Sequence, residues 1–362
     1  MVILLAALSM ALLAMTLLPL LRSERWWIRA LEFPRLQLCA LAVGMLALEG
    51  IILDFSKAEA WLFCSIATAC LLWQLWWIAP YSPLHGTEVH SATHVDGSRR
   101  IRLLSANVLG TNRQADRFLG LVDKHSPDIV LTLESNSWWQ SRLDVLESDY
   151  PYTMKCPLEN LYGMHVYSRL PLEQTRIEYL VNKEVPSMHA AVRLRSGDCI
   201  RVRFVHPAPP SPNESTDTTE RDAELLVIAR NHDREGVPTI VAGDLNDVAW
   251  SRTTRLFRKI SGMLDPRIGR GMFNTFHAAH WFLRWPLDHL FHGPQFSLCH
   301  LERLEPFGSD HFALLSELQY EPANSKSGTN SLSRDDSDEA ESRRKIDQGK
   351  VDGSDVPDPD GG

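Results

Sequence analysis

The chain has 362 residues, 44% of them hydrophobic and 23% charged, and its 37 Lys/Arg against 45 Asp/Glu leave a formal net charge of −8. This apolar content excludes a wholly disordered protein, and the acidic balance excludes a basic nucleic-acid coat. Length, six scattered cysteines and the absence of a CxxC pair exclude a disulfide-stapled miniprotein and a zinc ribbon.

Residues 1–21 carry no charge, and about 20 apolar residues suffice to cross a bilayer core. They lack the basic start and small-residue cleavage site of a signal peptide, so a retained helix is expected. Two more apolar runs, 36–54 and 59–79, follow, the last ending in Trp73, Trp76, Trp77 and Tyr81, an interfacial aromatic pattern. Glu49 falls near a helix end and is expected to reach headgroups or water. Arg22, Arg25, Arg29 and Arg35 lie between the first two runs, against Lys57 alone between the second and third. The positive-inside rule therefore predicts a multi-pass (bacterial inner) membrane protein whose chain beyond residue 79 is cytoplasmic.

Residues 80–98 are polar, with Pro, Gly, Ser and three His, and read as a linker. Residues 99–321 alternate strand and helix signals, so a domain of mixed sheets with outer helices is expected, soluble by itself as residues 95–322. Residues 322–362 are rich in Ser, Asp, Glu, Lys, Arg, Gly and Pro without an aromatic beyond them, and read as a disordered acidic tail.

Within 99–321, IRLLSANVL, PDIVLTLE, CIRVRFVH, PTIVAGDLND, WPLDHLFH and HFALLSEL read as strands, and ADRFLGLVDKHS and RDAELLVIARNHDREG as helices. Several strands end in residues that burial does not explain: Asn107, Glu134, His206, Asp244 with Asn246, Asp288 with His289, and Asp310 with His311. Functional groups collect at strand ends, where rigid elements aim them into a shared crevice. Each motif alone is weak; the ordered set is specific.

In that order, SANVL, PDIVLTLE, FVHPAPP, AGDLND, PLDHLFH and GSDHFAL resemble the motifs of the endonuclease/exonuclease/phosphatase superfamily, over roughly residues 100–320. The resemblance implies an α/β (α+β) fold, a four-layer α/β/β/α sandwich, here preceded by about three transmembrane helices. It implies a Mg²⁺-dependent phosphoric ester hydrolase (Mn²⁺ as a substitute) in which water attacks phosphorus directly. Asn107, Glu134 and Asp310 would surround the metal. His206, Asp244, Asn246, Asp288 and His311 would be catalytic, with Asp288 orienting His311 and Asp244 acting on the water. Asn274 and Arg284 are candidate substrate contacts. Among Tyr162, His165 and Tyr167, which stand where family nucleases place a further Tyr or His, the sequence does not choose. The substrate is a phosphodiester or phosphomonoester of a lipid, a nucleic acid or a small molecule, the bilayer is a partner, and no obligate protein partner is implied. A nuclease and an inactive membrane scaffold are the alternatives. The 26 basic and 27 acidic residues of 99–320 give no bulk support to a nuclease groove.

Overall fold

The computed structural model describes residues 2–209, 217–235, 237–322 and 331–349. Its N-terminal part is helical: α1 (Val2–Leu17), the short α2 (Trp26–Arg29), α3 (Arg35–Ile52) and α4 (Ala58–Ile78). Three segments, Ile3–Leu20, Arg35–Ile52 and Ala58–Tyr81, are long and apolar enough to cross a membrane. One chain of polar groups crosses this bundle. Arg35 donates to Gln74 Oε1 at 2.9 Å, and Gln74 donates to Thr16 Oγ1 at 3.1 Å. Glu49 does not reach the bundle surface as expected; its side chain is fully buried.

Two sheets follow. The first has six strands in the order β10 (Phe296–Arg303), β11 (Leu314–Tyr320), β1 (Arg100–Asn107), β2 (Ile129–Leu133), β4 (Met164–Ser168), β3 (Tyr152–Cys156). The second runs β5 (Leu172–Glu178), β6 (Ser187–Arg193), β7 (Cys199–Phe204), β8 (Thr239–Asp244), β9 (Asp288–His292). β1 and β2 are parallel, as are β7 and β8, and both parallel pairs are central. Between the sheets lies a core that includes Leu103, Leu131, Val166, Val202, Phe204, Ile240 and Leu290. On the outer face of the first sheet, α5 (Ala115–His125) and α6 (Ser137–Leu143) bury Phe118, Val122 and Trp139 against Leu104 and Val130. On the outer face of the second, α7 (Thr219–Glu235) and α8 (Arg252–Ser261) bury Leu226 and Phe257 against Val241 and Phe291. The result is a four-layer α/β/β/α sandwich.

Two expected boundaries differ. Residues 80–98 are not a free linker. Val89 joins the inter-sheet core, His90 and Ala92 bond to Leu298 of β10, and Glu88 forms a buried ion pair with Arg258 of α8. Gly269, at φ 73°, allows this close approach, since a Cβ there would lie 2.7 Å from the backbone of Gly86. The stretch read as a disordered tail contains α9 (Asp336–Gln348), with an Asp335 capping box. Ile346 packs into the core of α7 and α8, and Lys345 donates to Asp222 at 2.7 Å. Residues 323–330 and 350–362 of that expected tail lie outside the described residues.

The sandwich rests directly on the helices. Tyr81 and Cys39 pack with Val248, Trp250, Ile268 and Leu287. Trp250 donates to the Glu32 carbonyl at 2.8 Å, and Arg29 to Thr253 at 2.7 Å. The Arg-containing loop between α1 and α3 and the sandwich are therefore on one side of the bundle.

Candidate active site

Strand periodicity decides which side chains reach the cleft between the sheets. On β1, Ile101 and Leu103 face the opposite sheet, so Asn107, in step with them, does too. On β8 the same parity runs Ile240, Ala242, Asp244, and on β9 it runs Leu290, Asp288. β7 places Ile200, Val202 and Phe204 inward, and His206 continues that step beyond the strand. All four polar groups emerge at one end of the inter-sheet core. Glu134 is out of step, because Leu133 already faces inward; the backbone turns at Glu134 with φ 55°. Asn246 is also left-handed, at φ 50°. Such non-glycine residues cost about 1–3 kcal/mol each and mark sites over-determined by their surroundings. Gly243 is required for a different reason. Its φ is 146°, and a Cβ there would lie 1.9 Å from the Val205 carbonyl oxygen.

Asp244 is the hub. Its Oδ2 accepts from Asn107 Nδ2 at 3.2 Å and lies 3.5 Å from His311 Nε2 and 4.0 Å from His206 Nε2. Its Oδ1 accepts the Asn246 amide at 2.9 Å. The opposite ring nitrogen of His311, Nδ1, is 2.8 Å from Asp288 Oδ2. Asp244 and Asp288 are cross-strand partners in the sheet register, and the imidazole lies between them. Burial pushes the Asp244 carboxyl up to about 7, with Asp288 adding and His311 opposing. Burial works to lower His311, but Asp288 and Asp244 together outweigh it and hold the imidazole up at about 10. Burial lowers His206 to about 4, so it is neutral at pH 7. His311 Nε2 thus faces Asp244 Oδ2 as a proton-bearing group facing an acceptor whose ionisation burial opposes.

Supporting groups hold this arrangement. The Ser309 hydroxyl donates to the Asn107 carbonyl at 2.7 Å and accepts the His311 amide at 3.0 Å. Thr275 Oγ1 accepts the Asp288 amide at 3.2 Å, and the Phe276 ring lies 4.9 Å from that of His311. Arg221 donates to the Asn246 carbonyl at 2.8 Å. Sequence reading gave no role to Phe276 or Arg221, and it included Ser309 only as part of the Ser-Asp-His motif without a role of its own. The structure also separates the three ambiguous residues. His165 and Tyr167 alternate with inward-facing Met164 and Val166, and point into the outer layer toward Ser135 and Asp144. Tyr162 lies 5.5 Å, ring to ring, from His206.

Eight of the ten expected site residues thus converge. Asn274 and Arg284 lie in the segment that follows α8 and precedes β9. The Asn274 carbonyl accepts from Arg303, and Arg284 donates to the carbonyls of His277 and Ala278.

Two oxygen-rich groups can be weighed as a divalent-cation site. Asp244, Asp288 and His311 bring ligand atoms within 4.8 Å of one another. His311, however, is already held through Nδ1 by Asp288 and aims Nε2 at Asp244, so a cation here would compete with the contacts that hold the imidazole. Glu134 offers the better fit. Its Oε1 is held by Asn107 Nδ2 at 2.7 Å, and its Oε2 is buried with no partner among the described residues. Burial raises this carboxyl, and Asp310 adds to the repulsion. Two neighbouring carboxylates, Glu134 and Asp310, are hard oxygen donors of the kind that hold Mg²⁺ or Mn²⁺, and Asn107 supports Glu134 through Nδ2 while its Oδ1 accepts the Leu109 amide.

The sequence profile of the Endonuclease/Exonuclease/phosphatase family matches residues 104–311. No curated protein matches the chain significantly. Among solved structures, the human Nocturnin catalytic domain with a bound sulfate anion is similar at TM-score 0.51 and 15% identity, over 62% of this chain and 96% of that one. An endonuclease/exonuclease/phosphatase from Bacteroides vulgatus is similar at 0.50 and 16% identity, over 61% and 99%. D. rerio TDP2 complexed with a single-strand DNA product gives 0.49 and 17% identity, over 61% and 99%.

Proposed function

The chain belongs to the Endonuclease/Exonuclease/phosphatase family, and we propose that it is a membrane-anchored phosphoesterase that hydrolyses a phosphate ester by direct attack of water, with Mg²⁺ as its metal. The observation that carries the reading is the position of Asp244 Oδ2 within 3.2–4.0 Å of Asn107, His311 and His206. In this reading Asp244 orients the water and takes its proton. His311, held by Asp288, and His206 donate to phosphoryl oxygens, and Asn246 holds the phosphate. Donors placed in advance around developing charge are the largest single source of such catalysis. Glu134, Asp310 and Asn107 would hold the cation, which when bound would neutralise phosphate charge and assist the leaving oxygen. The intact His311–Asp288 pair speaks against an inactive scaffold.

In this reading the three apolar helices are the anchor, and the positive-inside rule favours the cytoplasmic face for the sandwich, on the side of the arginines of residues 22–35. The test uses the full chain in detergent and bis(p-nitrophenyl) phosphate. Hydrolysis with Mg²⁺ that disappears in Asp244→Asn supports the reading; equal rates in the two proteins would refute it.

A further inference from the structure

We propose that residues 277–284 seat the cleft on the bilayer surface, and that the substrate is the phosphodiester of a membrane phospholipid approached from its headgroup. This rests on the phosphoesterase reading above and adds what the phosphate is attached to.

The segment reads HAAHWFLR. Trp281, Phe282 and Leu283 are 79%, 53% and 37% exposed. Three consecutive large apolar side chains facing outward mark an interaction surface rather than a solvated loop. One end of the segment is fastened to the catalytic residues. The Ala278 amide donates to the Asp310 carbonyl at 2.6 Å, and the ring of Phe276, just before the segment, lies tilted 50° against that of His311. The other end is fastened to the helices. Gln37, in the first turn of α3, donates to the Phe282 carbonyl at 2.7 Å, and Trp285 meets Phe33 edge-on at 5.8 Å. Arg284 braces the loop from within through the carbonyls of His277 and Ala278.

The occupant follows from that fastening. Gln37 marks the level at which the apolar span of α3 begins, so Trp281 and Phe282 stand where headgroups meet acyl chains. Leu20, Leu21, Trp27 and Leu36 are exposed at the same end of the bundle. Aromatic side chains favour this depth. A nucleic acid would need a basic groove instead, and the nearly balanced charge of residues 99–320 offers none in bulk. In the reaction, the water oxygen bonds to phosphorus and its proton passes to Asp244. One P–O ester bond breaks and the leaving oxygen takes up the proton. A diester and water thus give a phosphomonoester and an alcohol.

The test reconstitutes the full chain in vesicles of phosphatidylglycerol and phosphatidylethanolamine, with bis(p-nitrophenyl) phosphate as a soluble comparison. Wild type should convert vesicle phospholipid into a phosphomonoester, soluble or lipid-borne. The double variant Trp281→Ser, Phe282→Ser should lose at least tenfold more of its vesicle rate than of its soluble-diester rate, and Trp281→Phe should retain both. Equal losses, or no loss, overturn the proposal. So does a wild type that cleaves the soluble diester but neither lipid, an outcome that leaves the phosphoesterase reading standing. Loss of a dimer in the double variant would identify the loop as a contact between copies and overturn it too. Failure on both substrates sinks the parent reading, and this one with it.

Discussion

Lys345 of the last helix donates to Asp222 at the start of α7 across 2.7 Å, although 123 residues separate them. Asp222 is fully buried and also meets Arg221 at 2.9 Å and Arg29, from the loop between α1 and α3, at 3.8 Å. Burial works to raise this carboxyl, but Lys345, Arg221 and Arg29 outweigh it and hold it below the usual carboxylate range. Arg221 in turn holds Asn246. One carboxylate therefore joins the loop between α1 and α3, helix α9 and the turn at Asn246.

Asp222→Asn should destabilise the protein by about 1–3 kcal/mol: it removes the buried charge that three cations share, while each keeps a second carboxylate, Lys345 on Glu24, Arg221 on Asp247 and Arg29 on Glu32. Lys345→Ala should cost less, since two partners of Asp222 remain. Thermal unfolding of both variants in detergent measures the order, and a larger loss for Lys345→Ala would contradict it.

Asp244→Ala and His311→Ala should each lower kcat by about 10²–10⁴ with unfolding temperature kept within a few degrees. Full activity in either folded variant would remove that residue from the site.

Hydrolysis should stop in EDTA and return with Mg²⁺ or Mn²⁺. Glu134→Gln should raise the metal concentration needed for half-maximal rate, because it removes charge from the carboxyl with the unpartnered oxygen. An unchanged metal requirement would exclude Glu134 as a ligand.

The rate should be bell-shaped in pH. Asp244, raised by burial to about 7, works only when ionised, so its limb rises through pH 7 or below when a cation stabilises the anion. His311, held at about 10, donates only while protonated, so the second limb falls there. The limbs belong to the coupled pair. Asp288→Asn removes the carboxylate that keeps the proton on His311, and should move the alkaline limb to lower pH. A limb that stays in place would mean another group sets it.

Residues 95–322 alone, expected from sequence to be soluble, should instead aggregate or unfold at lower temperature than the full chain. Cutting there removes Tyr81, Glu32, Arg29 and Glu88, and exposes Trp250, Ile268 and Leu287. A monodisperse, equally stable fragment would show the docking to be dispensable.

What could be read from sequence is what alternation and short motifs encode. Parity along β1, β8 and β9 carries Asn107, Asp244 and Asp288 to one cleft, and apolar length marks the three long helices. Glu134 needed a left-handed turn that the run PDIVLTLE does not announce. Choosing Tyr162 over His165 required the register of β4 on β2. The packing of residues 80–98 and of α9 was hidden because Glu88–Arg258 and Lys345–Asp222 join residues 170 and 123 positions apart. Composition described those segments correctly as polar; it carries no information about partners so distant.

The packing of Tyr81 and Cys39 against Trp250 leaves no slack between anchor and sandwich. With the three apolar helices in a bilayer, as proposed, the cleft would share the two-dimensional diffusion of its anchor. For a lipid substrate, encounter frequency would depend on the mole fraction of that lipid in the plane rather than on its bulk concentration. Diluting the substrate with an inert lipid should slow turnover, while adding buffer at constant membrane composition should not.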